Sequence, residues 1–119
     1  MDADDVGTQQ LLDRHLQCFG TADLDGIMTD YGDGAVVFSP DGPLETPAAI
    51  RAWYAVILDQ FAGPGTTFTL RSTDVVKDTA HITWSAETAT ASFVFANDTF
   101  VVSEGKIIRQ SSAAHVVPK

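Results

Sequence analysis

Two side chains in this sequence stand where proton chemistry is possible. Asp98 falls in a run whose even positions read Val94, Ala96, Asp98, Phe100 and Val102, so a strand through it lays the carboxyl group on an apolar face. A carboxyl group held there loses hydration, which favours its neutral form and raises its pKa unless cations or donors compensate. That would make it a proton donor or a general acid/base near neutral pH. The residues Ala96-Asn97-Asp98-Thr99 also suit a polar turn between two shorter strands. His15 recurs with Leu11, Leu12, Cys18 and Phe19 at three- and four-residue spacing, so its imidazole shares the apolar stripe of a helix. It is either a satisfied histidine at the core boundary or a pocket acid, base or donor.

Around this pair, Trp53 and Tyr54 belong to the stripe of a third helix, and Tyr54 has a hydroxyl that needs a partner if buried, for which His15 is a candidate. Tyr31 is a similar phenol. Gln110 and Ser112 alternate with Ile108 and Ala114 on the last strand and would add two polar groups to the inward face. Ser39 lacks the Gly-x-Ser-x-Gly setting of a nucleophile elbow and precedes proline, which argues against a serine hydrolase. His81 and His115 have no ligand partner at short spacing, and no His-x-His or His-Glu-x-x-His run occurs, so no metal site is expected. The single cysteine, Cys18, allows no internal disulfide and reads as packing.

The elements that must position these groups change character midway. Thr8 is placed to cap a first helix ending at Gly20, with residues 1–7 a flexible N-terminus. Leu24, Ile27, Met28 and Tyr31 form the stripe of a short second helix that Gly32-Asp33-Gly34 stops. A β-prone run, 35–39, ends in the turn Ser39-Pro40-Asp41-Gly42-Pro43. Thr46 and Pro47 then start the third helix, with Ile50, Trp53, Tyr54, Ile57, Leu58 and Phe61 on one side. From Thr66 onward the residues are strand formers, giving a meander with strands at 67–76, 80–90, 93–103 and 106–117. Helices first and a meander afterwards predicts one α+β domain over 1–119, with three N-terminal helices packed on a strongly curved, mostly antiparallel sheet. The hollow between them is a cone-shaped pocket, with Phe100 on its wall.

Composition bounds the partners. With 119 residues and 45% hydrophobic content there is material for one core. Sixteen acidic against seven basic residues give a net charge of −9, which repels nucleic acid and anionic membranes. No apolar stretch approaches the roughly 20 residues of a spanning helix, and the acidic start fits no secretory signal, so a cytoplasmic protein is expected. The moderately apolar character of both faces around Ile82, Trp84 and Ala86 suits a homodimer formed through the sheet.

The chain resembles the nuclear transport factor two-like superfamily, in particular its branch of SnoaL-like polyketide cyclases and ketosteroid isomerases. The segments that carry the resemblance are Ala22-Asp23-Leu24-Asp25-Gly26-Ile27 leading through Tyr31 to Ala35-Val36, Pro47-Ala48-Ala49-Ile50-Arg51 with Trp53-Tyr54, Asp98-Thr99-Phe100-Val101-Val102, and Gly105-Lys106-Ile107-Ile108. The resemblance implies that Asp98 matches the strand aspartate that donates a hydrogen bond to a developing oxyanion in the isomerases. It puts His15 at the place of their oxyanion-hole tyrosine and Tyr54 at that of its supporting tyrosine. Ser39 takes the place of the general-base aspartate, and a serine there disfavours steroid isomerisation. What remains implied is binding of a small, largely apolar or polycyclic molecule, with cofactor-free isomerase, cyclase or dehydratase chemistry by Asp98 and His15. The alternative is a binding or dimerisation module without catalysis.

Overall fold

A computed structural model describes residues 3–119. Three helices, α1 (Ala3–Gly20), α2 (Leu24–Thr29) and α3 (Pro47–Phe61), accompany six strands: β1 (Tyr31–Ser39), β2 (Gly42–Leu44), β3 (Thr67–Val76), β4 (Thr79–Glu87), β5 (Ala91–Ser103) and β6 (Lys106–Pro118). The strands form one curved, unclosed sheet in the order β2-β1-β6-β5-β4-β3. All neighbours are antiparallel except β1 and β6, which run parallel.

Local chemistry accounts for most of these boundaries. The Thr46 hydroxyl accepts from the Ala49 N–H at 3.1 Å and Pro47 occupies the first turn of α3. Asp23 caps α2 by accepting from the Gly26 N–H at 2.9 Å. Thr8 is not a cap: α1 extends back through 3–7, and the buried Thr8 hydroxyl donates to the Lys77 carbonyl at 2.7 Å, tying the helix to the β3–β4 turn. The expected flexible stretch 1–7 is thus helical from residue 3, while residues 1 and 2 lie outside the described residues. Tyr31 opens β1 and does not close α2. The expected Gly32-Asp33-Gly34 turn is an irregularity inside that strand, where Gly34 takes φ +73° and the register with β6 shifts between Tyr31 and Val36. The turn at 39–43 is a tight hairpin that includes the short strand β2.

The buried face of α1 carries Thr8, Leu11, Leu12 and His15. Leu11 and Leu12 pack on Ala80, Ile82, Phe100 and Ile107 of the sheet. A second cluster joins Ile27, Ala35, Val37, Ile50 and Tyr54 between α2, β1 and α3. Between the two clusters, α1 and α3 stand over the concave side of the sheet and leave a cavity.

Candidate functional site

The cavity has a volume of about 230 Å³. Its walls are apolar: Leu16, Phe19, Ile57, Phe68, Trp84 and Phe93 contribute to them, and Trp84 stacks on Phe93 with ring centroids 5.6 Å apart. Polar lining groups come from His15 on α1, Tyr54 on α3, Asp98 on β5, and Gln110 and Ser112 on β6.

Strand register brings the β residues together. Asp98 faces Ile82 across one ladder and Ser112 across the other, while Phe100 faces Gln110. The inward parity at Ala96, Asp98 and Phe100 agrees with the alternation of the sequence, and all three are buried. Val94 breaks it and is exposed, because a register shift between Phe93 and Phe95 turns Phe93 inward in its place.

Asp98 is 8% exposed and accepts at both oxygens, from the Trp84 indole N–H at 2.9 Å and from the Gln110 amide nitrogen at 3.1 Å. Burial raises its pKa above the ordinary carboxylate value, and the hydrogen bonds from Trp84, Ser112 and Gln110, with the charge of His15, only partly offset this. His15 is 3% exposed, with Nδ1 3.1 Å from Asp30 Oδ2 and Nε2 3.1 Å from the Tyr54 hydroxyl. Tyr54 thus provides its hydroxyl to His15 as a hydrogen-bond partner. His15 and Asp98 line the same cavity without a direct hydrogen bond, and Tyr54 and Gln110 lie between them.

Asp30 went unrecognised in the sequence. It closes α2, is fully buried, and also accepts from Arg14 Nε at 2.9 Å, while its main-chain carbonyl accepts from Ile107 of β6. Burial alone would raise its pKa, but the bonds from His15 and Arg14 outweigh that and hold the carboxyl group below the usual range. Tyr31 and Tyr54 join hydroxyl to hydroxyl at 2.5 Å, and the Tyr31 hydroxyl donates to Gln110 Oε1. Burial pushes both phenols well above their ordinary pKa.

Of the expected pocket residues, Trp53, Tyr54, Phe100 and Gln110 line the cavity. Tyr31 and Ser39 do not. Tyr31 stands behind Tyr54 as its hydrogen-bond partner, and Ser39 spends its hydroxyl on its own hairpin, donating to the Gly42 carbonyl at 2.8 Å, while neighbouring Pro40 reaches the wall. Among the described residues no group of three or more His, Cys, Asp or Glu is placed to hold a metal ion. No helix among them is long and apolar enough to cross a membrane.

Helices over a curved sheet, with polar side chains gathered at the floor between them, define the nuclear transport factor two-like class of α+β folds. The SnoaL-like domain family matches residues 12–110, and the chain belongs to that family. An NTF2-like protein of unknown function from Mesorhizobium loti superposes with a TM-score of 0.79 at 21% identity, covering 97% of this chain and 96% of that one. A proposed polyketide cyclase from Sinorhizobium meliloti gives 0.75 at 15% identity over 87% and 94% of the two chains. A proposed ketosteroid isomerase from Kribbella flavida gives 0.75 at 9% identity over 92% and 78%. Among curated proteins none matches the chain.

Proposed function

We propose that the cavity binds a small, largely apolar molecule carrying an oxygen function, and that Asp98 and His15 perform cofactor-free acid/base chemistry on it. The reading rests on one observation: an apolar hollow in which the carboxyl group of Asp98 and the imidazole of His15 lie at the same polar floor, each held by two side-chain hydrogen-bond partners. Preorganised groups of this kind act without reorganising during reaction, which is what stabilising an enolate-like charge requires. Asp98, its pKa raised by burial, takes the carbon-bound proton as a carboxylate and returns it as the acid, and the nearby charge of His15 favours the negative charge that develops on oxygen. A cavity of about 230 Å³ suits a compact ring system, and a polycyclic ligand would keep part of itself in the mouth. The likeness to a proposed polyketide cyclase supports an isomerase, cyclase or dehydratase type of reaction. Steroid isomerisation is disfavoured, since Ser39 brings no base to the cavity.

Proton abstraction is tested by carbon-bound hydrogen exchange of aryl ketones and conjugated ketones in D2O, followed by NMR. The wild type is expected to exchange at least ~100-fold faster than Asp98→Asn, in line with the usual contribution of a positioned acid/base group. Equal exchange by both would remove Asp98 from the chemistry.

The turning away of Ser39 also favours a second reading, a binding module without catalysis. Ligand quenching of Trp53 and Trp84 fluorescence without any exchange would support it. In either case a homodimer through the sheet accounts for the exposed Val94 and Phe95 of β5 and Val117 of β6. A monomeric mass in light scattering at micromolar concentration would contradict that assembly.

A further inference from the structure

We propose that Asp30 is a positioning residue that holds His15 as an imidazolium, and that the chain Tyr54–Tyr31–Gln110 carries the presence of that proton to Asp98. The inference uses the acid/base pair named above and concerns how its two members communicate.

Counting hydrogens along the chain leads there. Gln110 Oε1 can only accept, so its bond with Tyr31 uses the single Tyr31 hydroxyl hydrogen. The Tyr54 hydroxyl lies 3.5 Å from Gln110 Oε1 and only 2.5 Å from the Tyr31 hydroxyl, so the short contact between the two phenols takes the hydrogen of Tyr54. With that hydrogen spent, the 3.1 Å contact from His15 Nε2 to the Tyr54 oxygen is a bond only if Nε2 donates. On the other side, Nδ1 faces Asp30, whose carboxyl group also accepts from Arg14 and is held below the usual carboxylate range by its partners, so it only accepts and Nδ1 donates as well. Both ring nitrogens therefore carry hydrogen. Tyr54 also accepts from the Gln110 amide nitrogen at 3.4 Å, which fills its second lone pair, and the other hydrogen of that nitrogen goes to Asp98 Oδ1.

The groups facing His15 agree with this count. Asp30 comes from the end of α2, with Arg14 of α1 behind it. Tyr54 comes from α3, and the rings of Tyr31 on β1 and Phe100 on β5 meet the imidazole edge-on at 5.7 and 5.4 Å. Asp98 is the second carboxyl group whose charge interacts with it.

Loss of one proton from His15 breaks the pattern. Tyr54 must then turn its hydroxyl hydrogen to Nε2, and Tyr31 has one hydrogen for two neighbours. Either the Tyr31 and Tyr54 oxygens face each other with no hydrogen between them, or Tyr31 gives up Gln110. A released Gln110 loosens its hold on Asp98 Oδ1, so Asp98 senses a proton on a ring it does not touch.

The experiment needs no substrate, so failure to find turnover leaves it standing, and its own failure leaves the cavity reading intact. Long-range nitrogen–proton NMR of the histidine rings, assigned with His15→Gln, is expected to show two protonated nitrogens on His15 at neutral pH. Selective carbon-13 labelling of aspartate should show the Asp98 carboxyl signal shifting over the same pH interval in which His15 releases its proton. In Tyr31→Phe that response should be lost, and in Asp30→Asn one ring proton should be missing at neutral pH. A single protonated nitrogen on wild-type His15, or an Asp98 signal that ignores the His15 proton, overturns the proposal. Both of these arms use the unaltered protein, so poor folding of either variant does not shield it.

Discussion

Replacing Asp98 by asparagine separates two costs with different dependence on pH. Trp84 donates to one carboxyl oxygen and Gln110 to the other, whereas an asparagine offers one oxygen and one NH2 group. One of the two donors must then face another donor in a buried place, which costs about 1–3 kcal/mol at every pH. The second cost belongs to the wild type. Its folded carboxyl group has a pKa raised above 3.8, so the native state keeps the proton over a range in which the unfolded chain has lost it. Stability from Asp98 is thus complete below about pH 4 and declines as pH rises through the folded pKa, by up to ~1.4 kcal/mol per pH unit. The variant has no such decline. Its deficit should be greatest in acid and shrink toward neutrality. Asp30 works in the opposite sense: its pKa is lowered, so its contribution is present above 3.8 and disappears as pH falls through the folded value. Both proteins share that acid loss, and it cancels in the difference. Urea unfolding of the two proteins from pH 3 to 8, analysed with equal m-values, measures the difference directly. A deficit that stays flat, or that grows with pH, would refute the argument that burial dominates at this carboxyl group.

Three other substitutions test the frame that holds the site. Gly26→Ala would put a Cβ 2.4 Å from Asp23 Oδ2 and 2.8 Å from Cys18 Sγ, so it should dislodge the cap of α2 and cost about 1–2 kcal/mol in urea unfolding. Thr8→Val keeps the shape of a buried side chain but leaves the Lys77 carbonyl without its 2.7 Å donor, for an expected loss of about 0.5–1.5 kcal/mol. Thr88, fully buried, accepts from the Thr90 and Ala91 N–H groups and donates to the Ala91 carbonyl; Thr88→Val should lower the midpoint of thermal unfolding by several degrees and speed amide exchange at 90 and 91.

Features with local causes could be read from the sequence. The start of α3 is written in Thr46 and Pro47, and the four long strands in their β-branched and aromatic residues. Inward placement of Asp98 followed from alternation because β5 is regular from Ala96 to Val101. Alternation failed at Val94 because a bulge intervenes, and nothing in the neighbouring residue types marks it. Thr8 looked like a cap because its hydroxyl partner, Lys77, is 69 residues away. Asp30 was missed for the same reason: its partners Arg14 and His15 are separated from it by a whole helix and a turn, and only the folded chain brings an acid against that pair. Membership in a family supplied the outline of the pocket, whereas the ion pair behind His15 is legible only in three dimensions.

The parallel pairing of β1 with β6 sets when the site can exist. β6 is the latest strand to leave the ribosome, yet it lies inside the sheet, between β1 and β5, and brings Gln110 and Ser112 to the floor. Its Ile107 N–H also ties down Asp30. A nascent chain holding α1, α3 and even β5 therefore lacks the Gln110 and Ser112 part of the floor, and β1 waits with an open edge for a partner about seventy residues downstream. The cavity is therefore complete only once β6 has been added to the sheet.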